Sequence, residues 1–270
     1  MRRVRFSLRA AICFVFVICC LGAVFAEWQR RAKQQRVAVE ELSGVGGFVM
    51  YDYQVKSTDG QVWQIEDSAP PNPFLAKCFG IDSVCVIAGV WWPEGTDSSG
   101  QVVGQVNDSS IRKLRRFPHL RKISLSGTVL TDSGTEALTS LTKLESVSIR
   151  GPQLGDQTIK HLLSSKEHLS LLDLNGTRIT DEGIQQLTAF PKLQHLDLGN
   201  TRISRRSFGD LAKLKRLRSL RLRRVDFEAS DIHLLAKLKD LSVLDISDCR
   251  CDSAAIDAFH SSRPGLELFR

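Results

Sequence analysis

Three side chains combine residue types and spacing that could do chemistry: Asp173, His195 and Asp197. They stand in Leu172-Asp173-Leu174 and His195-Leu196-Asp197-Leu198, segments that repeat one another 24 residues apart. Placed on adjacent strands, they would set an imidazole near two carboxylates, a combination used for general acid–base hydrolysis or for holding a metal. The set is incomplete on both counts. One histidine with two aspartates falls short of a zinc site, and no nucleophile accompanies them. A hydrolase or metal enzyme is therefore an alternative reading, and neither enzyme activity nor a cofactor is expected. The seven cysteines do not improve the case. Cys13, Cys19 and Cys20 lie in an apolar run, and Cys249 and Cys251 are too close for an ordinary disulfide in extended chain. Cys78 and Cys85 could pair in an oxidising compartment, and no pair of CxxC motifs is present.

A second chemistry is electrostatic. Residues 202–224 contain Arg202, Arg205, Arg206, Lys213, Lys215, Arg216, Arg218, Arg221, Arg223 and Arg224 with Asp210 as the one acid, a local charge of +9. Elsewhere the chain is balanced. Four arginines precede residue 10; removing them from 37 basic residues leaves 33 against 30 acidic, or +3 for residues 27–270. The band is thus a concentrated feature on a near-neutral background. The bland reading is a solvated face. The functional reading is a site for an acidic protein, an anionic lipid or an acidic polymer. Nucleic acid is not expected, because no aromatic platform interleaves the arginines.

The elements that would position these residues follow from periodicity. Leucines at 120, 144, 169, 193, 217 and 241 each open a unit of 24 or 25 residues. Apolar residues follow three and five places later: Ile123/Leu125, Val147/Ile149, Leu172/Leu174, Leu196/Leu198, Leu220/Leu222 and Leu244/Ile246. That alternation is a short strand with one face buried. The second half of each unit changes to steps of three, as in Ile184, Leu187 and Phe190 or Ile232, Leu235 and Leu238, which is one face of a helix. One strand–loop–helix unit cannot bury its own stripe, whereas a stack can. An α/β fold is expected, with a curved parallel sheet inside and helices outside. The count is seven strands. The first falls at Val84-Cys85-Val86, and the insertion WWPEGTDSSG at 91–100 separates it from the regular units.

These residues resemble the leucine-rich repeat superfamily, in the variant with a threonine-aspartate-x-glycine step before the helix. The fullest copies are Leu130-Thr131-Asp132-Ser133-Gly134 and Ile179-Thr180-Asp181-Glu182-Gly183. Asp132, Asp156 and Asp181 are expected to accept from free amides at the helix starts, and Asp252 to do the same in the last unit. The threonines at 128, 177 and 201 match the family's polar step after the strand. Pro152, Val225 and Cys249 break that ladder. The resemblance implies partner binding on the inner face, where Arg221 and Arg223 would point, and it makes aspartate between two strand leucines an ordinary feature.

The N-terminus carries the other organising signal. Residues 1–9 form a basic n-region, and residues 10–26 run seventeen places without a charge. That length is at the lower limit for a spanning helix, so the segment reads as a transmembrane helix or a cleaved signal, with Val24-Phe25-Ala26 fitting a cut. The basic flanks favour the anchor. Residues 27–47 read as a juxtamembrane helix and linker ending at Gly44, Gly46 and Gly47. Residues 48–80 read as an N-terminal cap with a hairpin (Phe48–Val55, Gln61–Ile65), and residues 81–270 as the repeat domain. Over residues 1–79, the anchor, the basic juxtamembrane helix and Tyr51-Asp52-Tyr53 look like membrane-anchored bacterial leucine-rich repeat proteins. That likeness implies a single pass through the inner membrane with the repeats exported, although four basic residues on each side of the segment leave orientation open. The expected function is a membrane-tethered protein-interaction module. The alternative is a structural envelope protein without a specific ligand.

Overall fold

In the computed structural model, the structure describes residues 8–44, 46–58, 61–65, 70, 76–77, 87–92, 106–125, 129–250 and 252–270. The chain starts with helix α1, Leu8–Ser43, so the apolar run and the juxtamembrane segment form one continuous helix. Its end is set by glycine. Gly46 takes φ +77, which lets the Gly47 amide reach the Leu42 carbonyl at 2.9 Å. Ala32, Ala38 and Leu42 are buried along its C-terminal half. Among the described residues, no helix is long and apolar enough to cross a membrane.

One sheet organises the rest. Strand β1 (Phe48–Tyr51) pairs antiparallel with β4 (Ile87–Trp92). From β4 onward every pairing is parallel: β5 (Lys122–Leu125), β6 (Ser146–Ile149), β7 (Leu171–Asp173), β8 (His195–Asp197), β9 (Ser219–Arg221), β10 (Val243–Asp245) and β11 (Glu267–Phe269). A separate hairpin joins β2 (Val55–Thr58) to β3 (Gln61–Ile65). Short helices at Asp108–Arg112, Asp132–Thr135, Asp156–Leu162, Asp181–Leu187, Phe208–Leu211, Ala229–Leu235 and Ser253–Ser261 return the chain to the next strand. The core is the repeat pattern made solid. The leucines that open the units and the apolar residues three and five places on are all buried, and each fully buried leucine contributes about 1.5–3 kcal/mol.

Three expectations change. The hairpin splits, because Phe48–Tyr51 leaves it to cover the first parallel strand. That strand is Ile87–Trp92, so Trp91 and Trp92 belong to the sheet rather than to the insertion; residues 84–86 lie outside the described residues, as do Cys78, Cys85 and residues 93–105. The signal was present, since Ile87, Val90 and Trp92 carry the same three-and-five spacing as Leu120, Ile123 and Leu125. Finally, the parallel strands number eight among the described residues, because Glu267–Phe269 adds to β10.

The aspartates of the helix starts also work differently from expectation. The N-cap positions are Asn107, Thr131, Gly155 and Thr180, while the aspartate is the first helical residue and reaches one coil onward. Asp108 accepts from the Thr131 amide (3.0 Å) and hydroxyl (2.7 Å). Asp132 accepts from the Gly155 amide and the Thr158 hydroxyl, and Asp156 from the Thr180 amide and hydroxyl. Asp181 closes the series on Ser204, with the Ser207 hydroxyl also donating to it. The glycine of the step makes room for this clamp: a Cβ on Gly134 would collide with the Asp108 carboxylate, and one on Gly183 with that of Asp156. Asp252 does cap its own helix, accepting from the Ala254 amide at 3.0 Å.

Candidate functional site

The strand residues between the buried positions form two rows across the concave face. The first runs Lys122, Ser146, Leu171, His195, Ser219, Val243, Glu267, and the second Ser124, Ser148, Asp173, Asp197, Arg221, Asp245, Phe269. With Arg218 and Ser242, all of them except the buried Asp245 line an open groove of about 630 Å³. Ser126 lies outside the described residues.

The aspartates of the second row are structural first. Asp173 accepts from the Asn175 amide, Asp197 from the Gly199 amide and Asp245 from the Ser247 amide, each at 2.9–3.1 Å. This local turn bond fixes the exit from the strand. The second oxygen of each carboxylate meets an arginine: Arg150 at 2.7 Å from Asp173, Arg221 at 3.7 Å from Asp197, and Arg223 at 2.6 Å from Asp245. Burial raises the Asp245 carboxyl, but bonds from Ser247 and Arg223 outweigh it and hold the group below the usual range.

Asp173, His195 and Asp197 are therefore neighbours that do not combine. No hydrogen bond joins His195 to either carboxylate among the described residues, and its Nε2 is buried without a hydrogen-bond partner. Burial lowers the imidazole pKa, and the charges of Arg218 and Arg221 lower it further. His195 is thus a neutral, half-buried ring in the groove floor. Among the described residues, no group of three or more His, Cys, Asp or Glu side chains is placed to hold a metal ion. The arrangement offers hydroxyl and guanidinium donors to a ligand, not an activated nucleophile.

The basic band is distributed around the coil. Arg218 and Arg221 line the groove, and Arg223 and Arg224 follow in the turn after the strand. Arg202, Arg205 and Arg206 lie past the strand exit at the turn into the helical side, where Arg205 pairs with Glu228. Lys213 pairs with Asp210, and Arg224 with Asp248 at 3.6 Å. Arg218 has no ion pair among the described residues.

Periodicity gives Arg221 and Arg224 a meaning that composition alone missed. Arg221 occupies the position held by Asp173, Asp197 and Asp245, so its coil lacks the turn-closing carboxylate. Arg224 occupies the position of Gly176, Asn200 and Asp248, where the backbone turns left-handed with φ between 54° and 70°. Glycine, asparagine and aspartate tolerate that region and arginine does not favour it. Val225 in the same coil replaces the threonine whose hydroxyl bonds the carbonyl three residues back, as Thr177 does to Leu174 and Thr201 to Leu198. The vacated Leu222 carbonyl instead accepts from Cys249 of the next coil at 2.9 Å. Burial pushes that thiol up to about 11, which makes it a structural donor rather than a nucleophile.

A strand every 24 or 25 residues, laid in parallel register with helices behind it, agrees with the family match: the leucine rich repeat model matches residues 118–138 and 165–187. The fold is a leucine-rich repeat solenoid. Among solved structures it is similar to internalin C2 of Listeria monocytogenes, at 20% identity over 72% of this chain and 87% of that one, with a TM-score of 0.50. Internalin F of the same organism aligns over 58% of this chain and 56% of its own, at 16% identity and a TM-score of 0.39. No curated protein matches the sequence. At these identities the likeness concerns the fold, so the solenoid's function rests on its own residues.

Proposed function

We propose that the solenoid is a binding module that takes an acidic segment of a protein partner into its concave face, at the coil of Arg218 and Arg221. The carrying observation is the substitution of structure by charge. In a fold assembled from repeated local rules, Arg221 and Arg224 stand where three other coils place a turn-closing aspartate or a left-handed glycine, asparagine or aspartate. Such departures from local consistency mark functional positions. Arg221 and Arg223 remain about half exposed while paired, which leaves guanidinium donors for a second carboxylate. Asp173, His195 and Asp197 belong to this surface as its floor. Arg202, Arg205 and Arg206 supply long-range attraction from the flank. The aspartate–glycine clamp supports assignment to the threonine-aspartate-x-glycine variant.

We further propose that α1 tethers the solenoid to a membrane through residues 10–26, with the repeats on the exported side of a bacterial inner membrane. Val15, Phe16, Leu21 and Val24 are 58–68% exposed on this helix, an apolar surface larger than a folded chain normally leaves in water. A topology reporter fused after Arg270 checks the side.

Binding is tested with a photo-crosslinking residue in place of Ser219 in the full chain. Proteins crosslinked by the wild-type background should be lost with Arg218→Glu plus Arg221→Glu and kept with Arg202→Glu plus Arg206→Glu. Identical crosslinks in all three would exclude the concave site.

A further inference from the structure

We infer that the cleft between α1 and the first coil binds the headgroup of an anionic phospholipid from the membrane that holds α1. The inference rests on the tether reading above and adds a ligand to it. The cleft has a volume of about 890 Å³, with one wall from α1 (Arg30, Arg31, Lys33, Val37) and the other from Arg116, Pro118 and His119.

Its charge is not internally balanced. Arg30 and Arg31 share the single carboxylate of Glu27. Lys113 and Arg116 share that of Glu41, each at 3.4 Å. Lys33 has no ion pair among the described residues. Five cations against these two carboxylates leave +3 around one concavity, and the arginines are largely exposed, so their donors are available. A phosphodiester is the anion that such planar donors engage two at a time.

Depth selects the lipid. Ala26 ends the apolar run, and Arg30 to Lys33 lie four to seven residues farther along the same unbroken helix. At 1.5 Å per residue that is about 6–11 Å. The polar headgroup layer extends roughly 5–8 Å beyond the hydrocarbon core on each side. The cationic wall therefore begins at headgroup depth, and the first coil closes over it. A lipid held there would fix how the solenoid sits on the membrane.

The full chain is reconstituted into phosphatidylcholine vesicles and into vesicles of equal phosphatidylcholine and phosphatidylglycerol. Flotation reads the tether; lipid retained through gentle detergent extraction, counted by native mass spectrometry, reads the cleft. Wild type should float with both vesicles and, from the mixed ones, retain several times more phosphatidylglycerol than phosphatidylcholine. Lys33→Gln with Arg116→Gln should float equally and lose the enrichment, with Lys33→Glu as a second variant and a thermal melt confirming the fold. Flotation without enrichment, or enrichment that survives in both variants, overturns the headgroup site and leaves the tether standing. Failure to float overturns both. Displacement of the retained lipid by millimolar inorganic phosphate would assign the cleft to a soluble anion and overturn the lipid.

Discussion

Asp156 and Gly183 are 27 places apart in sequence and in contact in the fold. The carboxylate takes the Thr180 amide at 2.9 Å and hydroxyl at 2.6 Å, and the glycine leaves it room. Asp156→Ala should destabilise the solenoid by about 3 kcal/mol, since hydrogen bonds to a charged group contribute roughly 1.5–3 kcal/mol each. Gly183→Ala should cost about 1–3 kcal/mol by overpacking. The double variant should lose less than the sum, because removing the carboxylate removes the clash. Denaturant unfolding of the four proteins checks this, and additive losses would contradict the clamp. Arg224 gives the opposite sign. Its φ of 59° costs about 1 kcal/mol that glycine avoids, while its exposed pair with Asp248 contributes little. Arg224→Gly should therefore raise the unfolding midpoint by an amount near 1 kcal/mol while weakening partner binding.

At the scale of elements, the regular coils were legible because one face of each is buried and burial writes its period into the sequence. Leu120 through Ile246 read out six strands directly. The two ends were harder, and for a physical reason. End coils have a neighbour on one side only, so their sequences meet other demands: Ile87–Trp92 must accept an antiparallel partner in β1, with Met50 opposite Gly89. The aspartate step was visible but its direction was not, since a helix start and the next coil's cap look alike in sequence. The site was legible only as charge. That Arg221 and Arg224 displace structural residues emerges once Gly176, Asn200 and Asp248 share one left-handed turn. Asp173 and Asp197 read as candidate chemistry because their second role, closing a turn, leaves no separate mark.

The whole molecule should respond to acid in two stages. His195 has its pKa lowered by burial and by Arg218 and Arg221, so the unfolded chain takes up that proton first. Its contribution is present above about pH 6.5 and falls as pH drops toward the folded value. Asp108, Asp181 and Asp245 are held below the usual carboxylate range despite burial, by hydrogen bonds that outweigh it, so their contribution persists above about pH 4 and is lost below that. Urea midpoints against pH should show both losses in wild type and only the lower one in His195→Gln. In the proposed binding mode the concave arginines, rather than the total positive charge, make the binding surface. The most direct measurement is fluorescence anisotropy of a labelled glutamate-rich peptide titrated with the full chain. Arg218→Glu with Arg221→Glu should weaken binding more than about tenfold, the range for charges at an interface, and Arg202→Glu with Arg206→Glu by no more than a few-fold. Equal weakening by the two pairs, which carry the same change in net charge, would contradict it.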